Sequence, residues 1–160
     1  MRQAIGDGIR LMVDANQSLT TAEAMRRGRA FQDLGCYWWE EPIPADDIEG
    51  YAALAEALDI PVATGENLYT PFDFARFLQR GAVDIIQPDS SRGGGPTALL
   101  EIGALAAAFR RPYASHGGGP VQLKWPNALY LETGLITPES RLKLVDGCAE
   151  VPQGPGFSWE

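Results

Sequence analysis

The sequence predicts an α/β fold, a partial TIM-type (β/α) barrel of parallel strands, and three observations carry that expectation. Short apolar runs alternate with amphipathic helical stretches along most of the 160 residues. Each run ends in an ionisable side chain. Those side chains, Asp14, Glu40, Glu66, Asp89 and His116, recur at intervals of 26, 26, 23 and 27 residues, about the length of one β/α unit. Strands separated by helices run parallel, and a barrel gathers its functional groups at the C-terminal ends of its strands.

The elements follow in order. Ile9 to Val13 is apolar apart from Arg10 and leads into Asp14. Thr20 and Glu23 have the spacing of a capping box, and the helix they open runs to about Leu34, with Gly35 as its stop. Cys36 to Trp39 is the next strand, ending at Glu40. Asp46 and Glu49 predict a second capping box, followed by a helix with Ile48, Tyr51, Ala55 and Leu58 on one apolar face. Pro61 to Thr64 is a strand ending at Gly65-Glu66. Thr70-Pro71 supplies a cap and a proline in the first turn for a helix that presents Phe74, Phe77 and Leu78 and stops at Gly81. Val83 to Gln87 is a strand ending at Pro88-Asp89, and Pro96 opens a helix to about Phe109. Pro112 to Ser115 is a fifth strand ending at His116, and Leu129 to Leu131 is a sixth ending at Glu132. Residues 1–133 are therefore expected to form the barrel portion with its site, and residues 134–160 a C-terminal tail.

Composition excludes several classes of function. The net charge is −8 and the lysines are Lys124 and Lys143 alone, the opposite of the clustered basic surface that nucleic acid requires. No apolar run approaches the roughly 18–20 residues of a membrane span, and the N-terminus has no signal-peptide pattern. A cytoplasmic location is the default expectation. Cys36 and Cys148 form no CxxC pair and are expected to be reduced thiols.

Any single acid just past a strand is better explained as a helix cap or a solvated loop residue. Here the caps are already supplied downstream by Thr20, Asp46 and Thr70, so the five strand-end groups are surplus to capping. Asp14, Glu40 and Glu66 on adjacent strands would repel one another without a cation. An all-oxygen ligand set favours magnesium, with manganese as the alternative, over zinc. Asp89 beside His116, the single histidine of the chain, would fix the imidazole tautomer and make it a general base or acid. Glu132 could hydrogen-bond a developing oxyanion.

These residues resemble the enolase superfamily, in particular its mandelate racemase/muconate lactonizing branch. The matching motifs are Val13-Asp14-Ala15-Asn16, Glu40-Glu41-Pro42, Gly65-Glu66-Asn67, Gln87-Pro88-Asp89, Ser115-His116 and Leu131-Glu132. The resemblance implies a magnesium enzyme that removes the proton α to a carboxylate and stabilises the enediolate; sites of this superfamily are known for a Lys or His base working with magnesium. It implies Asp14, Glu40 and Glu66 as metal ligands, Asp89 and His116 as the base dyad, Glu132 as the electrophile at the substrate carboxylate, and Asn16 as a substrate contact. Within the branch the sequence looks most like the sugar-acid dehydratases, so the implied partner is a small sugar acid. Racemases and cycloisomerases share the motifs and remain alternatives. Tyr69 and the loop Ser90 to Gly94 are further candidates for polyol contacts.

The resemblance also defines what is missing. The family's N-terminal capping domain, the two strands before the first one here and a Lys-x-Lys acid/base pair have no counterpart. Gly117 to Asn127 looks about one helical turn short of the family's segment. The chain is accordingly expected to be a fragment. Its open strand edges predict association into a homo-oligomer. A third alternative is a fragment that binds metal or self-associates without turning over substrate.

Overall fold

The structure, a computed structural model, describes residues 1–116 and the backbone of strand residues 128–131, 144–145 and 148–149. A single helical turn, α1 (Arg2–Ile5), precedes β1 (Met12–Asp14), α2 (Thr21–Asp33), β2 (Trp38–Glu40), α3 (Ile48–Ala57), β3 (Val62–Thr64), α4 (Pro71–Arg80), β4 (Ile85–Ile86), α5 (Gly95–Ala108), β5 (Tyr113–Ser115) and β6 (Ala128–Leu131). Two short strands, β7 (Leu144–Val145) and β8 (Cys148–Ala149), form a separate antiparallel pair. The turn α1, absent from the sequence expectation, is tied down by Arg2, whose Nε and Nη2 donate to the carbonyls of Leu34 and Gly35, both at 2.9 Å.

Strands β1 to β6 form one sheet in sequential order, each pairing parallel with the next. This is the partial barrel expected of the repeat. Strands β1 to β5 are shorter than the apolar runs that announced them; Ile9 and Arg10, for instance, lie outside β1. Alternation divides the strand residues between two faces. Trp38, Ala63, Ile85 and Ala114 pack together with Met12 and Tyr37 as the barrel interior. Trp39, Val62, Ile86 and Tyr113 pack on the other face against Ala24, Tyr51, Leu54, Phe74, Phe77, Leu99 and Ile102 of the helices.

The helix caps differ in part from expectation. Thr20 accepts from the Glu23 amide at 3.3 Å, but the reciprocal half of the box is missing. The Glu23 carboxylate is taken by Arg26 and Arg27 one turn further on, at 2.7 and 2.6 Å. In α3 the cap is Asp47 rather than Asp46, its Oδ1 accepting from the Gly50 amide at 2.9 Å. The reason is positional: the helix starts at Ile48, so its cap must be the residue before. The buried face of α3 centres on Tyr51 and Leu54, with Ala55 at its edge. Thr70 and Asp73 do complete a capping box on α4, and Gly81 closes that helix in the left-handed conformation at φ 68°.

Helix α2 approaches the sheet closely at Gly28. A Cβ there would lie 2.8 Å from Cζ3 of Trp39 and 2.4 Å from Cδ1 of Leu58. Leu58 could swing aside, but the Trp39 ring is fully buried and stacks edge-on against Phe31 at 5.3 Å. Gly28→Ala is therefore expected to destabilise the chain by about 1–3 kcal/mol through overpacking, outweighing the gain of roughly 1 kcal/mol in helix propensity. Urea denaturation would show it, and a more stable variant would refute the contact.

Candidate active site

Parallel pairing brings the strand-end groups to one mouth. Asp14 lies directly opposite Glu40 in the β1–β2 register. Asp89 and His116 form an isolated parallel bridge just beyond β4 and β5. Counting two residues on from the interior apolar layer, Met12 leads to Asp14, Trp38 to Glu40 and Ala114 to His116, so these three occupy the next position along the interior face. Glu40, Glu66 and Asp89 are buried, while Asp14 and Asn16 are exposed.

Glu66 depends on the glycine before it. Gly65 has φ 151°, and a Cβ there would come 2.7 Å from the carbonyl carbon of Gln87 and 2.8 Å from the Phe74 ring. Only a residue without a side chain lets the end of β3 close onto β4 in this way. Glu66 Oε2 then meets His116 Nε2 at 2.5 Å. The other imidazole nitrogen, Nδ1, lies 2.7 Å from Asp89 Oδ2. His116 thus bridges two carboxylates drawn from adjacent strands.

These contacts set the acidities. The hydrogen bond from His116 holds the Glu66 carboxyl below its usual range, more than offsetting burial. Burial would raise Asp89, but hydrogen bonds from the Ser91 hydroxyl and amide and from His116 outweigh it and keep its carboxyl low. Ser91 donates to Asp89 Oδ1 from its amide at 2.6 Å and from its hydroxyl at 2.5 Å. Asp89 is thereby fixed as an acceptor toward Nδ1.

Asp14 Oδ1 accepts from the Asn16 amide at 2.7 Å, and Asn16 Nδ2 reaches Glu66 Oε1 at 3.4 Å. As the side chains stand, no three described His, Cys, Asp or Glu residues form a group that could hold a metal ion. Glu66 is spent on His116, on Asn16 and on Asn67, whose Nδ2 donates to Oε1 at 3.1 Å. The donor chemistry nevertheless suits magnesium: hard oxygens on three successive strands, two of them level in the register. Glu66 would have to turn from His116 to join Asp14 and Glu40. Glu132 lies outside the described residues.

Three residues quoted in or beside the motifs, but given no role of this kind from sequence, belong to the site. Glu41 is 1% exposed and accepts from Asn67 Nδ2 at 2.7 Å and from the Thr64 hydroxyl at 3.4 Å. Arg92 donates to Asn67 Oδ1. The available signal was the doubled acid Glu40-Glu41, of which strand alternation sends only one to the mouth. A polar cleft elsewhere, lined by Glu49, Glu56, Arg80, Asp84 and Arg111 among others, contains none of these groups. Its arginines are already paired, Arg80 with Glu49 and Arg111 with Asp84.

A model of the enolase C-terminal domain-like family matches residues 1–160, and the chain belongs to that family. It is 43% identical over 135 residues to an L-talarate/galactarate dehydratase of Salmonella typhimurium LT2, covering 84% of this chain and 34% of that protein. It is 34% identical over 164 residues to a 3,6-anhydro-alpha-L-galactonate cycloisomerase of Streptomyces coelicolor, covering 98% of this chain and 45% of that one. Among solved structures, a racemase from Streptomyces coelicolor with bound magnesium superposes with a TM-score of 0.88 at 32% identity, over 98% of this chain and 45% of that one. An L-talarate dehydratase from Polaromonas sp. JS666, complexed with Mg and L-glucarate, gives 0.87 at 34% identity, over 98% of this chain and 44% of that one. The chain thus spans less than half the length of these relatives. No helix among the described residues is long and apolar enough to cross a membrane.

Glu41 generates a prediction about pH. Burial pushes its carboxyl above the usual 4.5, the Asn67 hydrogen bond opposes this, and the charge of Glu66 adds to it. Above pH 4.5 and up to that raised value, the folded chain holds a proton the unfolded chain has released. Stability therefore falls as pH rises through this window. Glu41→Gln removes this contribution, so its Tm in magnesium-free buffer should fall less from about pH 4 to 8 than that of the wild type. Calorimetric scans across that range test this, and parallel profiles would refute it.

Proposed function

We propose that this chain carries the metal-holding and proton-abstracting part of a magnesium-dependent enzyme that dehydrates a sugar acid. The observation that supports it best is His116, held between Asp89 on Nδ1 and Glu66 on Nε2. A base locked from behind by a carboxylate and facing a carboxylate of the proposed ligand set would be able to transfer a proton beside a metal-bound substrate.

Asp14, Glu40 and Glu66 would hold the ion, which when bound would polarise the substrate carboxylate and lower the barrier to losing its α proton. His116 Nε2, freed as Glu66 turns away, would take that proton, leaving its electron pair on the carbon skeleton. Asp89 would stabilise the imidazolium that results. Loss of the β-hydroxyl with one proton, as water, then leaves an enol that becomes a 2-keto-3-deoxy acid. Asn16, whose Nδ2 reaches Glu66 Oε1 at the exposed rim, would contact the substrate. Glu132 is the proposed partner of the developing oxyanion.

A second function has support of its own. The cycloisomerase relative matches 98% of the chain at 34% identity, and abstraction of the same α proton begins isomerisation as well as dehydration.

Titration calorimetry should show magnesium binding by the wild type and none by Glu40→Gln; a variant that bound normally would refute the ligand set. In deuterium oxide, with magnesium and galactarate or L-glucarate, the α proton should exchange. His116→Asn should slow exchange by about 10²–10⁴-fold. Keto-acid formation would mark dehydration, and exchange without it would favour the isomerase. Neither exchange nor magnesium binding would leave a fragment that does no chemistry by itself.

A further inference from the structure

Glu41 has no role in the chemistry just described, yet the fold accepts a high cost to keep it. Its side chain is 1% exposed, although a buried carboxylate is among the least favourable groups in an interior. Its backbone sits at φ 36°, in the left-handed region where a residue with a side chain is strained. That conformation is pinned from both sides. The Glu41 amide donates to the Ala63 carbonyl at 3.0 Å, and the Gln17 amide donates to the Glu41 carbonyl at 2.7 Å.

The side chain's partner explains where the strain leads. Asn67 has two amide N–H groups and one carbonyl oxygen to offer. Its Nδ2 donates to Glu41 Oε2 at 2.7 Å and to Glu66 Oε1 at 3.1 Å. Its Oδ1 accepts from the guanidinium of Arg92. A flipped amide would set its oxygen against two carboxylates and its nitrogen against a cation, so the network admits one orientation. Glu41 thus locks Asn67, and Asn67 holds both Glu66 and Arg92. The charge of Arg92 also helps keep the Glu66 carboxyl low.

We infer that Glu41 is a positioning residue for Glu66, acting through Asn67. Its buried oxygen sets the amide that fixes one Glu66 oxygen, leaving the other to the ion or to His116. The inference rests on the proposed role of Glu66 as a metal ligand. Groups that orient a ligand in this way commonly contribute about 10–100-fold to metal affinity.

The test is magnesium titration calorimetry on the whole chain, paired with melting curves. Glu41→Met keeps the volume and removes both acceptor oxygens; Asn67→Ala removes the linking amide from a half-exposed position. Each is expected to weaken magnesium binding by about 10–100-fold. The double variant should lose little more than either single one, because both break the same path. Glu41→Gln should stay close to the wild type, since its carbonyl can still accept from Asn67 while the Thr64 hydroxyl turns to accept from its amide.

A lower Tm with unchanged magnesium affinity in Glu41→Met, or losses that simply add in the double variant, would overturn the inference and leave the metal reading intact. Should Glu41→Met fail to fold, Asn67→Ala decides alone, and an unchanged affinity there also overturns it. A wild-type chain that binds no magnesium overturns the metal reading and this inference together.

Discussion

The arrangement of the site follows from parallel strand pairing in register. Because β1 to β5 all run the same way and each pairs with its sequence neighbour, their last residues reach the same end of the sheet. Asp14 meets Glu40 across the first pair, and Asp89 meets His116 across the fourth. A one-residue slip would send each of these side chains to the opposite face, toward the helices. The apolar interior layer of Trp38, Ala63, Ile85 and Ala114 guards against that slip. Any shift would expose these residues' faces to the wrong neighbours.

Above that apolar floor the problem becomes electrostatic. Glu40, Glu41, Glu66 and Asp89 are all buried at or near one mouth, and carboxylates so placed raise one another's pKa. The fold answers with specific donors. His116 and Asn67 serve Glu66, Ser91 serves Asp89, and Asn67 with Thr64 serves Glu41. Where donors prevail, at Glu66 and Asp89, acidity is strengthened; where burial prevails, at Glu41, it is weakened. A cation between Asp14, Glu40 and Glu66 would relieve the same repulsion more directly and release His116 from Glu66.

Three of the four described non-glycine residues with positive φ lie at the mouth, and the fourth, Arg110, follows the end of α5. Asn16, Gln17 and Glu41 all have positive φ, at 41°, 62° and 36°. Each is held by contacts made across strands. The Gln17 side chain accepts from the Ala45 amide at 2.8 Å, and its amide meets the Glu41 carbonyl. Strain is tolerated here because neighbouring segments over-determine the conformation, a pattern typical of functional sites.

Residue type and spacing alone determined the repeat of strand, ionisable group and helix, and with it the parallel fold and the identity of the groups at the mouth. That information is local and periodic: alternation of two, a helical period near 3.6, and caps such as Thr70-Pro71. The positions of individual helix starts were less legible. Asp46 and Asp47 are equally good caps by residue type, and the folded chain starts the helix after the second. Which partner each mouth group takes was not legible at all. Nothing near Glu41 in the sequence indicates that its carboxylate meets Asn67, 26 residues on. Nor does anything near Glu66 foretell His116, 50 residues on. Those contacts depend on how close two strand ends come and on which donors lie within reach there. Tertiary packing decided them, through features as small as the missing Cβ of Gly65.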